Sequence, residues 1–295
     1  MHLSIPSPSI SYIQVGPLVI HFYAVCILVG IAAAVWIGAI RWKARGGSAN
    51  QMVDMALWTV PIGIIGARIF HVVTHWSFYF GAGTDPLAVF RIWEGGLAIY
   101  GGLIFGVLGA WLGSRSIGVR FLSVADALAP GILVAQAIGR LGNYFNKELF
   151  GQATTLPWGL EIPSTNPAYP VGFPAGVLFH PTFLYEMIWN LLGFALIVFV
   201  LERRFNLRNG RAFAVYLVYY SIGRAFIESL RIDVSESFLG LRTNVWSAIL
   251  TALVGVALYL WLARKKPGTE ESIWLPGKAP AELDLQDAAN HSDDV

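Results

Sequence analysis

The chain has 295 residues, of which 56% are hydrophobic and 13% are charged, and its formal net charge is +2. Soluble domains carry close to a quarter of charged residues, so this composition excludes an ordinary soluble globular protein. The single cysteine, Cys26, excludes an intramolecular disulfide framework and a multi-cysteine metal site.

The N-terminal segment MHLSIPSPSISYIQVGP lacks a basic region and a small-residue cleavage pattern, so we expect no removable signal peptide. Seven apolar runs follow, each close to the roughly 20 residues that a helix needs to cross the hydrocarbon core. The predicted transmembrane spans are residues 17–40, 52–76, 96–114, 121–140, 182–201, 212–230 and 243–263. The predicted fold is therefore an all-α, polytopic membrane protein with seven transmembrane helices.

Basic residues are concentrated in one set of loops. They follow the first and seventh spans and join the third to the fourth and the fifth to the sixth: Arg41, Lys43, Arg45, Arg115, Arg120, Arg203, Arg204, Arg208, Arg211, Arg264, Lys265 and Lys266. Lysine and arginine are enriched in cytoplasmic loops. We therefore expect the N-terminus outside and the C-terminus in the cytoplasm.

Two segments lie outside the predicted bundle. Residues 151–180 are rich in proline and glycine and predict an irregular extracytoplasmic cap loop between spans four and five. The polar, acidic residues 267–295 predict a disordered cytoplasmic tail, which leaves 1–266 as the transmembrane domain. In span three, the spacings Gly102xxxGly106 and Gly109xxxGly113 are typical of close helix packing.

Ionisable side chains inside spans usually mark a site or a pathway. In the expected topology, polar side chains from six spans lie at the level of the outer leaflet: His21, Tyr23, Arg68, His71, Tyr100, Arg140, His180, Tyr185, Glu186, Arg224, Glu228 and Arg231. Asp54 and Asp126 lie near the opposite ends of their spans and are expected to be helix caps or solvated ends. The pattern predicts one polar chamber near the outer leaflet.

Arginines outnumber carboxylates in the expected chamber. Arg68, Arg140, Arg224 and Arg231 stand against Glu148, Glu186 and Glu228. The planar guanidinium fork suits phosphate, and lipid phosphates are abundant at this depth, so we expect a phospholipid head group to bind. A pair such as Arg224–Glu228 could instead be purely structural. Enzyme, transporter and lipid-binding scaffold remain open, although a one-sided site without an internal repeat favours chemistry at the outer surface.

The stretch GRLGNYFNKELFG (139–151) closely resembles the signature of the prolipoprotein diacylglyceryl transferases of bacterial inner membranes. Further stretches agree in order along the chain: HFYAVCILVG (21–30), GARIF (66–70), DPLAVFRIWEGGLAIYGGLIFG (85–106), HPTFLYE (180–186) and GRAFIESLRID (223–233). The resemblance covers residues 17–265 and makes 1–266 the expected catalytic domain.

The resemblance implies an enzyme of the first step of bacterial lipoprotein maturation. Such an enzyme moves a diacylglyceryl group from phosphatidylglycerol to the lipobox cysteine thiol of a prolipoprotein, forming a thioether and releasing glycerol phosphate. The expected partners are phosphatidylglycerol, the lipobox peptide and the bilayer; no nucleic acid, cofactor or metal is expected. The alternative is a non-catalytic phospholipid-binding or lipid-transporting membrane protein of the same fold.

The resemblance also implies roles for individual residues. Arg140 and Arg224 match essential arginines of the family and are expected to bind the head-group phosphate and leaving group. The other matching positions are expected to contact substrate, shape the signature loop or position Arg224, and they are Tyr23, Asn143, Asn146, Glu148, Gly151, Glu228 and Arg231. From its depth, Arg68 is also expected to contact substrate.

Tyr100 departs from the family pattern, because some members have a histidine at this position that has been proposed as the base. A tyrosine with a free pKa of about 10 is a poor base at neutral pH, so we expect Tyr100 to hydrogen-bond the phosphate or lipid. His21, His71 and His180 are candidates by depth, and the proton acceptor is unassigned.

Overall fold

The structure is a computed structural model that describes residues 4–16, 18–233, 235–265, 268 and 270–280. Seven predicted spans coincide with long helices in this part of the chain. The helices are α1 (Phe22–Lys43), α2 (Ala49–Thr74), α4 (Ile99–Ser116), α5 (Phe121–Asn146), α6 (Thr182–Ala195), α8 (Arg211–Leu230) and α9 (Thr243–Lys265). Two short helices are α3 (Trp76–Phe80) and α7 (Glu202–Arg204), and a π-helical stretch, Leu196–Leu201, joins α6 to α7.

Five of these helices are long and apolar enough to cross a membrane: α1, α2, α5, the continuous helix Thr182–Arg204 and α9. The prediction of a mostly helical membrane protein is thereby confirmed. The two other predicted spans fall on α4 and on α8, and α8 contains three charged residues, Arg211, Arg224 and Glu228. That these two helices also cross the membrane stays a prediction.

Two predicted boundaries differ from the structure by five residues or more. Residues 18–21 of the first predicted span form a strand, and α1 begins at Phe22. The fourth span was expected to end at Arg140, yet α5 continues to Asn146. Hydropathy marks where apolar side chains stop, whereas a helix ends where the backbone leaves helical dihedrals, as it does at Lys147 with φ 53°.

The contacts divide the chain into two compact units, the first made of Met1–Gly38 with Ala125–Thr269 and the second of Ala39–Val124 with Glu270–Val295. In the first unit, Asp126 is fully buried and accepts hydrogen bonds from the backbone N–H groups of Gly210 and Phe213, at 2.7 and 2.9 Å. These bonds satisfy the free N–H groups at the start of α8. Asp126 is therefore a cap, as expected, although the helix it caps is α8.

The first unit also contains short antiparallel sheets, so the fold is not purely helical. A hairpin of β1 (Tyr12–Val15) and β2 (Leu18–His21) precedes α1, and a hairpin of β6 (Ser237–Phe238) and β7 (Leu241–Arg242) precedes α9. The segment 151–180 was expected to be irregular, but it contains a three-stranded sheet in the order β3 (Ala153–Thr154), β5 (Leu178–Phe179), β4 (Leu160–Glu161). Phe150, Leu160, Ile162 and Phe179 form its buried core.

In the second unit, α2 packs closely against α4 through glycines. A Cβ added at Gly109 would lie 2.7 Å from the backbone oxygen of Trp58, and one added at Gly113 would lie 3.1 Å from the Met55 sulfur. Close packing is confirmed at these two positions. Gly106 Cα would lie 3.6 Å from a Cβ at Gly63, but a Cβ at Gly106 itself would meet no atom within 4 Å, so the contact does not require glycine there.

The segment 270–280, expected to be disordered, is held in the second unit. Ile273 is buried, its carbonyl accepts a hydrogen bond from Arg120 N, and the Leu275 N–H donates to Gly118 O. Glu270 lies 3.8 Å from Arg45. An apolar anchor and an ion pair inside an otherwise polar segment explain the difference. The predicted disorder of residues 281–295 lies outside the described residues.

Candidate active site

The signature segment at the end of α5 forms a hydrogen-bonded relay. Arg140 and Asn143 are three residues apart and share one helix face. Arg140 Nη1 donates to Asn143 Oδ1 at 2.9 Å, and Asn143 Nδ2 donates to Glu148 Oε1 at 2.9 Å. Asn146 Nδ2 donates to the same Glu148 oxygen at 3.1 Å. Four of the predicted site residues are therefore linked by this one segment.

The turn after α5 brings Glu148 back beneath the helix end. Lys147 and Leu149, on either side of it, have φ values of 53° and 59°, a left-handed conformation that costs energy for residues with a side chain. At Gly151 the N–H donates to His180 O at 2.9 Å. A Cβ at Gly151 would lie 2.8 Å from His180 Cβ and 2.9 Å from Leu230 O, so this close approach requires glycine.

Glu186 on α6 joins the signature arginine to α8. Its Oε1 accepts from Arg140 Nη2 at 2.7 Å and its Oε2 from Arg224 Nη1 at 3.4 Å. The carboxylate is almost fully buried. Two guanidinium groups thus share one carboxylate at this point.

Glu228 on α8 is the centre of the second half of the site. Its side chain is 0% exposed, and its Oε2 lies 2.8 Å from Arg224 Nη2 and 3.0 Å from Arg231 Nη1. Its Oε1 accepts from Asn244 Nδ2 at 3.0 Å and lies 2.9 Å from Arg242 Nε, at an angle that makes the latter contact an ion pair rather than a hydrogen bond. Arg224 and Glu228 share one face of α8, as expected, whereas Arg231 follows the last helical residue in an extended conformation and still reaches Glu228.

Asp233 completes the ion-pair network. It lies 2.7 Å from Arg231 Nε and 3.0 Å from Arg242 Nη2. With Asp233 and Arg242 included, the described ion pairs join four arginines to three carboxylates, and Glu148, linked to Arg140 only through Asn143, brings the carboxylates of the site to four. The arginine excess expected from the sequence, which counted Arg68, is therefore not found in the described site as a whole. The sequence analysis did not single out Asp233, Arg242 or Asn244. Their only signal in the sequence is that they are polar residues close to the end of α8 or the start of α9.

The excess of guanidinium is instead local. The side chains of Arg140 and Arg224 are 20% and 17% exposed, more than that of Arg231. Among the described residues, Arg140 has Asn143, Glu186 and Tyr220 as polar partners, and Arg224 has Glu186 and Glu228. Each guanidinium has five N–H donors, so both keep donors for a bound anion.

Tyr23 lies against the signature helix. An added Cβ at Gly142 would lie 2.6 Å from the Tyr23 ring, so the missing side chain at Gly142 makes room for the tyrosine. The Tyr23 side chain is otherwise exposed. Tyr23 therefore contacts the helix that carries Arg140 and Asn143, and its contact with substrate stays a prediction.

Arg68 was expected to contact substrate, but its hydrogen-bond partners are backbone carbonyls of the protein. It belongs to the second unit, is buried, and directs all five N–H groups to backbone oxygens of one loop. Those acceptors are the carbonyls of Ala88, Val89, Arg91, Gly95 and Gly96. Arg68 therefore organises the loop before α4 and keeps no donor for a phosphate.

The same loop is closed at its surface by Asp85 and Arg91. Arg91 Nη1 donates to Asp85 Oδ2 at 2.7 Å, and the Leu87 N–H donates to Asp85 Oδ1 at 2.9 Å. Both hydrogen bonds lower the pKa of Asp85 below its usual value, and the bond from Arg91 has the larger effect. The same contact with Asp85, together with one from Glu94, raises the pKa of Arg91.

Tyr100 and the candidate histidines are found in separate surroundings. Tyr100 lies in the first turn of α4 in the second unit, and its ring centroid is 6.5 Å from that of Phe70. His71 Nδ1 lies 2.9 Å from Tyr79 Oη, and His180 Nδ1 lies 3.0 Å from Tyr185 Oη. His21 ends β2 opposite Tyr12. None of these contacts assigns the proton acceptor.

Comparison with known proteins agrees with this geometry. Residues 11–261 match the family described as prolipoprotein diacylglyceryl transferase. Phosphatidylglycerol–prolipoprotein diacylglyceryl transferase 1 of Streptomyces coelicolor is 48% identical over 286 residues, which are 97% of this chain and 81% of the relative. The phosphatidylglycerol–prolipoprotein diacylglyceryl transferase of Bifidobacterium adolescentis is 48% identical, and the match covers 90% of this chain and 82% of the relative. The enzyme of the same name from Leifsonia xyli is 49% identical, and the match covers 93% of this chain and 85% of the relative. The chain therefore belongs to the prolipoprotein diacylglyceryl transferase family and is a membrane transferase of lipoprotein biosynthesis.

Proposed function

We propose that the chain transfers the diacylglyceryl group of phosphatidylglycerol to the lipobox cysteine thiol of a prolipoprotein. The observation that carries the proposal is the Arg140–Glu186–Arg224 arrangement, in which two partly exposed guanidiniums share one buried carboxylate. Such a pair has donors and local positive charge for a phosphate, and the planar fork of each arginine matches phosphate oxygens.

In the proposed reaction, the sulfur of the substrate thiol attacks a glyceryl carbon of the lipid. A carbon–sulfur bond forms, the carbon–oxygen bond to phosphate breaks, and glycerol phosphate leaves with the bonding electrons. Arg140 and Arg224 stabilise the charge that develops on the leaving phosphate. A nearby positive charge also lowers the pKa of the incoming thiol from about 8.5, which favours the nucleophilic thiolate.

The remaining site residues hold the lipid and the arginines in place. Asn143 and Asn146 both donate to Oε1 of Glu148, and no described residue donates to its Oε2, which is the proposed acceptor for a glycerol hydroxyl. Glu228 and Arg231 position Arg224. Supporting roles are proposed for three more residues: the turn at Gly151, contact with the lipid by Tyr23, and a hydrogen bond to lipid or phosphate from Tyr100.

The proposed setting is the bacterial inner membrane, crossed seven times, with the N-terminus outside and the active site toward the outer leaflet. Basic residues in the last turns of α1 and α9, Arg41 and Lys43 in one and Arg264 and Lys265 in the other, support this orientation. Residues 1–266 are the proposed catalytic domain, with 151–180 as its extracytoplasmic cap and 267–295 as a cytoplasmic tail.

The test is a transfer assay with the purified full-length protein, phosphatidylglycerol and a lipobox peptide. We expect the peptide to gain the mass of one diacylglyceryl group. No mass gain, beside a relative that is active under the same conditions, would refute transfer. Binding of phosphatidylglycerol without transfer would instead favour the non-catalytic lipid-binding alternative.

Arg140→Lys tests the role of the guanidinium. It keeps the positive charge but loses the planar fork, so we expect kcat/KM to fall on the order of 100-fold while the protein stays folded. Arg91→Lys makes the same change in the exposed loop before α4 and should leave the rate nearly unchanged. Equal activity of Arg140→Lys and wild type would remove Arg140 from the site.

A further inference from the structure

A second polar layer lies one helical turn from the arginine site. Glu186 contacts Arg140 on α5 and Arg224 on α8, so the three helices α5, α6 and α8 converge there. Residues three or four apart lie on the same face of a helix. At that distance toward the middle of each helix are Gln136 on α5, Asn190 on α6, and Tyr220 and Ser221 on α8.

The three helices remain in contact at this level. Gln136 Nε2 donates to the Tyr216 hydroxyl at 3.1 Å, which joins α5 to α8. Trp189 Nε1 donates to Tyr219 O at 3.2 Å, and the Tyr219 hydroxyl donates to Trp189 O at 2.9 Å, which joins α6 to α8. Asn190 lies four residues after Glu186 on α6 and is fully buried, so its side chain lies on the helix face that contacts α5 and α8.

Several polar atoms of this layer have no protein partner. Asn190 is 0% exposed and Ser221 is 2% exposed. Within the described part of the chain, no hydrogen bond is made by Asn190 Oδ1, Asn190 Nδ2, Ser221 Oγ or Gln136 Oε1. Unpaired buried polar groups destabilise the fold, and hydrocarbon offers them no replacement. Gln136 on α5 and Asn190 on α6 each present such a group, which points to a shared ligand. Ser221 is left out, because it shares a face of α8 with Leu217 and Val218, which pack against Gly255 of α9.

We propose that Gln136 and Asn190 form a binding site for ordered water beside the arginine site. A buried water makes about three hydrogen bonds, so about one or two waters satisfy the amide of Asn190 together with Gln136 Oε1. Both acceptors and donors are present, which suits water and excludes a simple anion or cation. Through Tyr220, which interacts with Arg140, the water layer adjoins the groups that hold the phosphate.

The sign of a stability change tests the proposal. Asn190→Leu preserves approximate size but removes both amide groups. If water is bound, the variant displaces it and leaves Gln136 Oε1 unpaired, so its Tm should fall by several degrees. If the amide has no ligand, removing it should leave Tm unchanged or raise it, which would overturn the proposal. Asn206→Leu, at an exposed position, is the matched control.

A second measurement stands even where Asn190→Leu fails to fold. An experimental structure of the full-length wild-type protein, at a resolution that shows ordered water, should contain density within hydrogen-bonding distance of the Asn190 amide and of Gln136. Density for no water there, or a direct protein partner for the Asn190 amide, would refute the water site.

Discussion

Replacing Glu228 by glutamine removes one charge from the centre of the ion-pair network and changes its shape very little. Each carboxylate oxygen of Glu228 faces two donors, Arg224 and Arg231 on one side and Arg242 and Asn244 on the other. In Glu228→Gln one oxygen becomes an NH₂ group that faces donors whichever way the amide turns. At least two of the four contacts are therefore lost.

The expected magnitude follows from those contacts. Either orientation of the amide loses one hydrogen bond to the charged group, which contributes about 1.5–3 kcal/mol, together with one ion-pair contact. Removing one partner of a buried ion pair costs about 3–5 kcal/mol in all. We therefore expect the free energy of unfolding to fall by about 3–5 kcal/mol, a large part of the 5–15 kcal/mol typical of native proteins. Transferase activity should fall as well, because Arg224 loses its support.

The assay is unfolding of the purified protein in mixed micelles, followed by the fluorescence of its 11 tryptophans. Glu94→Gln, which changes an exposed carboxylate paired with Arg91, is the control and should melt like the wild type. If Glu228→Gln lowers the free energy of unfolding by less than about 1 kcal/mol, the network is solvated and the reasoning from burial is wrong.

Three further outcomes are expected. Gly151→Ala places a methyl group 2.9 Å from a backbone carbonyl and should cost about 1–3 kcal/mol of stability and reduce activity, whereas Gly106→Ala, with open space around it, should be neutral or stabilising in the same melts. Arg68→Lys provides three donors for five carbonyls, so amide hydrogen exchange should accelerate in the loop before α4, and an unchanged exchange rate would contradict the anchoring role. Because the pKa of Asp85 is lowered in the folded state, its pairing with Arg91 stabilises the loop above about pH 4, the unfolded value, and this contribution is lost as pH falls through the lower folded pKa. Hydrogen exchange corrected for intrinsic rates should show the loop opening in that acidic range, and Asp85→Asn should abolish the pH dependence.

Water-to-lipid transfer energies explain why the sequence predicted the helices well. Long apolar runs have few stable structures in a bilayer other than helices, so the positions of the long helices follow from hydropathy. Helical periodicity likewise placed Arg224 and Glu228 on one face, and the structure confirms it, although Arg231 reaches Glu228 from beyond the end of the helix. The signature residues Arg140, Asn143, Asn146 and Glu148 are within nine residues of one another, which made their association predictable.

The choice of partners across elements was decided by the tertiary structure. By hydropathy and depth alone, Arg68 and Arg140 were equivalent, and only the family resemblance separated them. Packing surrounds Arg68 with five backbone carbonyls, while Arg140 meets Glu186 from another helix and keeps donors for a ligand. Hydropathy and periodicity describe each helix by itself, and they contain no term for the loop or helix that will lie against a given side chain.

The same limit explains the missed charges. Asp233 and Arg242 lie beyond the ends of the predicted spans, where hydropathy carries no information about pairing, and they reach the network only through the chain path between α8 and α9. The sequence by itself determined the solvent, the helices and the residues of the signature. Only the tertiary structure decided which guanidiniums are neutralised and which remain available for an anion, because that depends on distances between atoms far apart in the chain.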